Sequence, residues 1–312
     1  MSEGSSFDPA EPPPKIQEML AFLDAWKQAC QANPPTPPAL LFHYTDIAAL
    51  MSIVEKRELW ASNVVYLNDQ SEIRYSLDLL NSITSEKSEH RRSTSEADTV
   101  IQWIVHDFAT LQAVYVVCFC TSDDLLSQWR GYGTQGGYAV GFASVRLKAL
   151  CSGRVSLVRV EYDESTHRQR LVDLVNRWRE TFHDVPEFNQ DRRSWNLGAM
   201  LLAEAFSEIA VGFKNPVFEE EKEWRLVYRR FEMIPDDSLS VSFRHRNGMP
   251  LPYVSLALGD SSAEHRVIDD IVIGPTRYLP LAGYGTEQFL RALSPEYKKI
   301  SVRHSTVPLR PY

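Results

Sequence analysis

The spacing of apolar residues along the chain changes period several times, and each change marks an element. Ile16, Met19, Leu20, Leu23, Trp26 and Cys30 recur every three or four residues, which predicts an amphipathic helix over residues 15 to 31. Four prolines between Asn33 and Pro38 remove backbone donors and favour extended chain, so this stretch reads as a linker. Residues 1 to 14, rich in Ser, Glu and Pro, bury little apolar surface and read as a mobile tail. The expected organisation is a tail, helix and linker over residues 1–38, then a single α+β domain over 39–312.

Inside that domain the period alternates between two and 3.6. Ala39 to Thr45 reads as a strand, with Thr45 or Asp46 capping a helix that carries Ile47, Leu50, Met51 and Val54. Leu59 to Ser62 is a short extended piece, a helix runs through Ile73, Leu77 and Leu80, and the polar run Ser85 to Glu96 reads as a loop before a helix near 97–111. Val114 to Cys120 and Tyr138 to Ala143 are β-prone and are joined by a glycine-rich connection. Val155 to Tyr162 is a further strand, followed by helices around Leu171 to Phe182 and Leu197 to Val211. Lys222 to Arg230, Ile268 to Ile273 and Ile300 to His304 alternate like strands, and Val241 to His245 and Tyr253 to Leu258 flank an Asn247-Gly248 turn. No regular βαβ alternation is present. The fold class predicted is α+β, with a mixed, largely antiparallel central sheet and surrounding helices.

Composition narrows the function classes. Hydrophobic residues at 44% and charged residues at 24% suit a folded globular chain. A net charge of -8 lacks the basic footprint of a dedicated nucleic-acid binder. No apolar stretch approaches the roughly 20 residues of a membrane span, so a cytoplasmic protein is expected, with no membrane partner. Cys30, Cys118, Cys120 and Cys151 form no C-x-x-C pair and read as reduced, buried thiols.

Four segments carry candidate chemistry. His43, in an apolar strand, is either a satisfied structural group or a ligand contact. Gly131, Gly133 and Gly136 match G-x-G-x-x-G but open a strand rather than a helix, which argues against a dinucleotide fingerprint. They read instead as a sharply turning loop beside Trp129, Arg130 and Tyr132, groups that either pack in the core or face a planar ligand. Asp69 and Glu72 have the spacing of a helix cap, and no H-E-x-x-H, EF-hand or cysteine cluster completes a metal site, so no metal is expected. Along Lys222 to Tyr228, alternation puts Trp224, Leu226 and Tyr228 on a core face. Glu221, Glu223 and Arg225 fall on the opposite face, which is either solvated or lines a cleft.

The motifs L-F-H-Y-T, Y-L-N-D-x-x-E, C-F-C with D-x-L-x-x-W-x-x-Y, E-x-E-W-R-L, I-G-P and S-x-x-P-x-R occur in order over roughly residues 40 to 310. Together they resemble a widespread bacterial family of unknown function. A histidine on an early strand, aromatic residues in the middle and a glutamate on a later strand also resemble ADP-ribosyltransferases of the His-Tyr-Glu type, with Glu221 and Glu223 similar to the E-x-E element of some members. The middle tyrosine has three candidates, Tyr66, Tyr132 and Tyr138.

The resemblance implies a split sheet and NAD as substrate without a metal. It further implies a binding surface of His43, Tyr44, Thr45, Trp129, Tyr132 and Arg225, and catalysis by Glu223 with Glu221. Such a protein would be a toxin, effector or phage-defence enzyme with a protein or nucleic-acid acceptor and an antitoxin or immunity partner. A non-enzymatic nucleotide-sensing or interaction domain, and a hydrolase using His43 with Asp69 or Glu223, are the alternatives.

Overall fold

In the computed structural model, residues 14–67, 71–88, 96–111, 113–132, 136–182, 192–230, 239–246, 248–259 and 267–308 are described. They divide into two compact units. The first comprises residues up to Pro34 together with Leu77–Gln112 and Arg168–Ala210, and the second comprises Pro35–Ser76, Ala113–His167 and Val211–Tyr312. Among the described residues, no helix is long and apolar enough to cross a membrane.

The first unit is helical. Its helix Pro14–Gln31 packs on the helix Arg192–Ala210, as does the helix Glu96–Leu111. Of the apolar stripe predicted for the first helix, Met19, Leu23 and Trp26 are nearly inaccessible while Leu20 and Cys30 are exposed, and the indole N–H of Trp26 donates to the Ala205 carbonyl at 2.9 Å. The segment expected to stand apart from the domain is thus held by apolar burial, because an amphipathic stripe of this width needs a partner. Phe108 meets Phe206 edge-on at 5.2 Å, and Phe22 meets Trp178 at 5.6 Å. The polar run expected as a loop begins as helix, since the helix from Ser71 continues to Ser88.

The second unit holds both sheets. The strands are β1 (Leu40–Asp46), β2 (Glu58–Asn63), β3 (Ala113–Phe119), β4 (Gly137–Ala143), β5 (Val155–Arg159), β6 (Trp224–Arg230), β7 (Val241–Arg246), β8 (Met249–Ala257), β9 (Ile268–Ile273) and β10 (Ser301–His304). One sheet has the order β1-β4-β9-β10 and the other β5-β6-β3-β2-β8-β7. Every pairing is antiparallel except β9 with β10, in keeping with the predicted α+β class and mixed, largely antiparallel sheet. β7 and β8 pair as a hairpin that sets Arg246 opposite Met249, with Gly248 at φ 79°, while Asn247 lies outside the described residues.

Leu41, Tyr138, Val140 and Ile271 of the first sheet share one apolar core with Tyr115, Val117, Leu226 and Val254 of the second. On the other face of the four-stranded sheet, Phe42, Tyr44, Ala139 and Val272 cluster with Cys120 and Trp129. The sheets meet at the bridge between Phe42 and Cys120, whose amides and carbonyls exchange bonds of 2.9 and 2.8 Å. Trp129 and Tyr132, expected in a loop, lie on a short helix, Leu126–Tyr132, and the fully buried Trp129 anchors it. Gly133, Asp69 and residues 1–13 fall outside the described residues. None of the four cysteines is in a disulfide; Cys120 is buried and Cys118 and Cys151 are half-buried, but Cys30 is exposed rather than buried.

Candidate functional site

Strand β1 sets the first part of the site. Its alternation turns Phe42 and Tyr44 toward the Trp129 cluster and leaves His43 and Thr45 on the opposite side. Asp46 ends the strand and caps the next helix, its carboxylate accepting the Ala49 amide at 2.8 Å, as the sequence predicts. The His43 ring is tied to β3, with Nδ1 2.8 Å from the Cys118 carbonyl. A carbonyl can only accept, so Nδ1 carries the proton and, in the neutral ring, Nε2 is left as an acceptor. Burial lowers the His43 pKa, the bond to Cys118 opposes this, and the positive charge of Arg244 adds to the lowering. The ring is therefore neutral at neutral pH.

Glu223 stands just before β6, after Lys222 in the left-handed conformation at φ 42°. Glu223 and Arg225 are 2% and 0% exposed, so the charged face of this strand is a buried ion cluster and not a solvated surface. Arg225 Nε donates to Glu223 Oε1 at 2.8 Å and Nη2 to Oε2 at 3.0 Å, a two-point fork. Lys214 Nζ donates to Glu223 Oε2 at 2.9 Å and to Glu221 Oε2 at 2.7 Å, while Arg225 Nη1 reaches the Val211 carbonyl at 2.8 Å. Burial pushes the Glu223 carboxyl upward, but Arg225, Lys214 and a hydrogen bond from the Cys118 thiol outweigh it and hold the group ionised below the ordinary range.

A cleft of about 380 Å³ opens on the same unit, lined by His43, Thr45, Asp46, Glu58, Trp60, Ser62, Cys118, Tyr132, Arg244 and Arg246 among others. Of the residues singled out from the sequence, His43, Thr45 and Tyr132 line it, and Tyr44 borders it while its ring points into the second cluster. Tyr132 is 40% exposed. Trp129, Arg225, Glu221 and Glu223 are not among its lining residues. Glu223 nevertheless reaches Cys118, and Cys118 lines the cleft, so one side chain separates the carboxylate from the cavity.

Sequence reasoning missed Glu58, Trp60, Ser62, Arg244, Arg246 and Lys214. The first five were available as alternation, E-x-W-x-S in β2 and R-x-R in β7, which puts each set on one face. Lys214 lies outside any periodic segment and gave no signal.

The stretch that carries Trp129, Tyr132, Glu221, Glu223 and Arg225 is also the stretch that compares with known proteins. Residues 128–226 match the family described as protein of unknown function (DUF2971). No curated protein and no solved structure matches the chain.

The geometry joins motifs inside the DUF2971 segment to motifs outside it. Asp124, of D-x-L-x-x-W, accepts the Trp129 indole N–H at 2.7 Å, the Thr306 amide at 2.7 Å and the Ser305 hydroxyl, tying in the terminal S-x-x-P-x-R. These bonds outweigh burial and lower its pKa. Tyr44 of His-Tyr-Thr meets Trp129 edge-on at 4.7 Å, and its hydroxyl donates to the Ser122 carbonyl at 3.0 Å. A Cβ on Gly274, of I-G-P, would fall 2.7 Å from the Trp129 ring, so this glycine is required by close approach. Trp129 is thus the hub of a structural network that joins four of the motifs.

Proposed function

We propose that the chain is an ADP-ribosyltransferase-like protein that consumes NAD and modifies a protein or nucleic-acid acceptor. The observation that carries this reading is the chain of contacts from the cleft to the carboxylate: His43 and Cys118 line the cavity, and the Cys118 thiol bonds to Glu223. The neutral His43 ring, with Nε2 as acceptor, suits a ribose hydroxyl, and the half-exposed Tyr132 suits the nicotinamide ring. Two sheets meeting beside His43 support the split arrangement that the resemblance implies.

In the reaction, the bond between the nicotinamide nitrogen and the ribose carbon breaks and its electron pair leaves with neutral nicotinamide. The oxocarbenium-like ribose is then attacked by an acceptor nucleophile that gives up a proton. Glu223, set behind Cys118, would oppose the developing positive charge.

A second reading is nucleotide sensing without turnover, favoured by the engagement of both Glu223 oxygens by Arg225 and Lys214. Incubating the purified protein with NAD, with and without cell lysate as acceptor, and measuring free nicotinamide separates the two. Release above a protein-free control supports transfer. Binding of NAD with no release supports sensing and ends the transferase reading.

A further inference from the structure

Strand β7 is the edge of the six-stranded sheet, and its hairpin to β8 fixes the register of Arg244 and Arg246 through the pairs Arg244 with Leu251 and Arg246 with Met249. Two residues apart on a strand, both reach the cleft from one element, about 7 Å apart along it. Arg244 Nη2 donates to the Ser62 hydroxyl at 2.8 Å, and its guanidinium lies 5.8 Å from the Trp60 ring centroid. Its Nε is buried without a hydrogen-bond partner. Two carboxylates line the cleft as well: Asp46 caps a helix through one oxygen, and Glu58 accepts the Trp60 indole N–H at 3.1 Å and the Ser255 hydroxyl.

Among the described residues, then, no carboxylate bonds to Arg244, and burial and the neighbouring Arg246 both disfavour its charge, with Tyr253 and Asp46 opposing them more weakly. A guanidinium with no carboxylate bonded to it, lining a cleft beside a second arginine, suits an anion. The neighbouring surface is aromatic, with Trp60 stacked on Tyr253 at 4.6 Å. A cavity of this size, with an apolar wall and a few convergent polar groups, suits a small ligand with a planar ring and a charged end.

We propose that Arg244 and Arg246 are the phosphate-binding end of the cleft and that its ligand is a nucleoside diphosphate or a molecule containing one. This rests on the cleft being a nucleotide site, as in the reading above, and not on any transfer taking place. The fork geometry of arginine pairs two donors with two phosphate oxygens.

The test is equilibrium binding of ADP, ADP-ribose and adenosine to the full chain by calorimetry at one fixed salt concentration. ADP and ADP-ribose are expected to bind about tenfold or more tightly than adenosine, and Arg244→Gln to abolish that preference, since charge-assisted contacts carry most of it. Arg244→Lys restores part of it. Arg246→Gln, read in the same way, guards against a folding defect in the first variant, with melting temperature measured for each.

Equal binding of ADP and adenosine, no binding of any probe, or an undiminished preference in both glutamine variants overturns the proposal. Phosphate-dependent binding without nicotinamide release from NAD would sink the transferase reading and leave the phosphate site standing.

Discussion

Glu223 and Arg225, two residues apart at the start of β6, meet through two hydrogen bonds of 2.8 and 3.0 Å while both are almost wholly buried. The cluster they form with Lys214 and Glu221 is charge-balanced, two cations against two carboxylates. Removing one member leaves a buried charge without its counterpart.

Glu223→Gln is therefore expected to destabilise the protein by about 3 kcal/mol, the cost of breaking a buried ion pair by removing one partner. Denaturant unfolding checks this. A variant as stable as the parent would mean that the cluster contributes no net stabilisation. Any loss of nicotinamide release in this variant must be judged on protein shown to be folded under assay conditions.

The acid side of the stability profile follows from two depressed pKa values. His43 is lowered from 6.5 by burial, against the Cys118 bond and with the Arg244 charge, and Glu223 is lowered from 4.5 by Arg225 and Lys214 against burial. In both cases the unfolded chain binds the proton more readily. The His43 contribution is present above pH 6.5 and lost as pH falls through its folded value, and the Glu223 contribution behaves likewise below 4.5. Unfolding free energy measured from about pH 8 to about pH 2 should fall in two stages. His43→Asn, whose amide can still donate to the Cys118 carbonyl, should flatten the first stage alone. An unchanged profile in that variant would remove His43 as its source.

Gly274→Ala tests the packing of the motif network. The added Cβ meets two Trp129 ring atoms at 2.7 Å and the Gly137 carbonyl at 3.0 Å. Overpacking of this kind costs about 1 to 3 kcal/mol. A lowered melting temperature is expected, and pairing with Trp129→Phe should relieve part of the loss.

Trp26→Ala tests the first helix. The indole is 6% exposed, donates to the Ala205 carbonyl and lies 5.7 Å from the Arg177 guanidinium. Large-to-small replacement of a buried Trp costs about 3 to 5 kcal/mol. Truncation at residue 38 removes Met19 and Leu23 as well, and should make the helix Arg192–Ala210 susceptible to proteolysis. A truncated chain as protease-resistant as the full one would show that the first helix stabilises nothing.

Local pattern alone determined most of the elements. The β-prone and alternating runs became β1, β3, β4, β6 and β9, and Asp46 became a cap, because backbone sterics and alternation act within a few residues. Alternation also separated Trp224, Leu226 and Tyr228 from Glu223 and Arg225, and both faces are realised.

Tertiary structure decided what those faces meet. Whether Glu223 would be solvated depended on Lys214, brought to it by chain with no periodic signature, and on Arg225, itself held by the Val211 carbonyl. Whether Trp129 would face a ligand depended on Gly274 and Tyr44 enclosing it from distant segments. The cleft itself draws on strands separated by nearly 200 residues, His43 and Trp60 near one end and Arg244 toward the other. Periodicity assigns a side chain to a face, but the partner on that face is set by sheet order and register, which arise from burying both sheets in a common core.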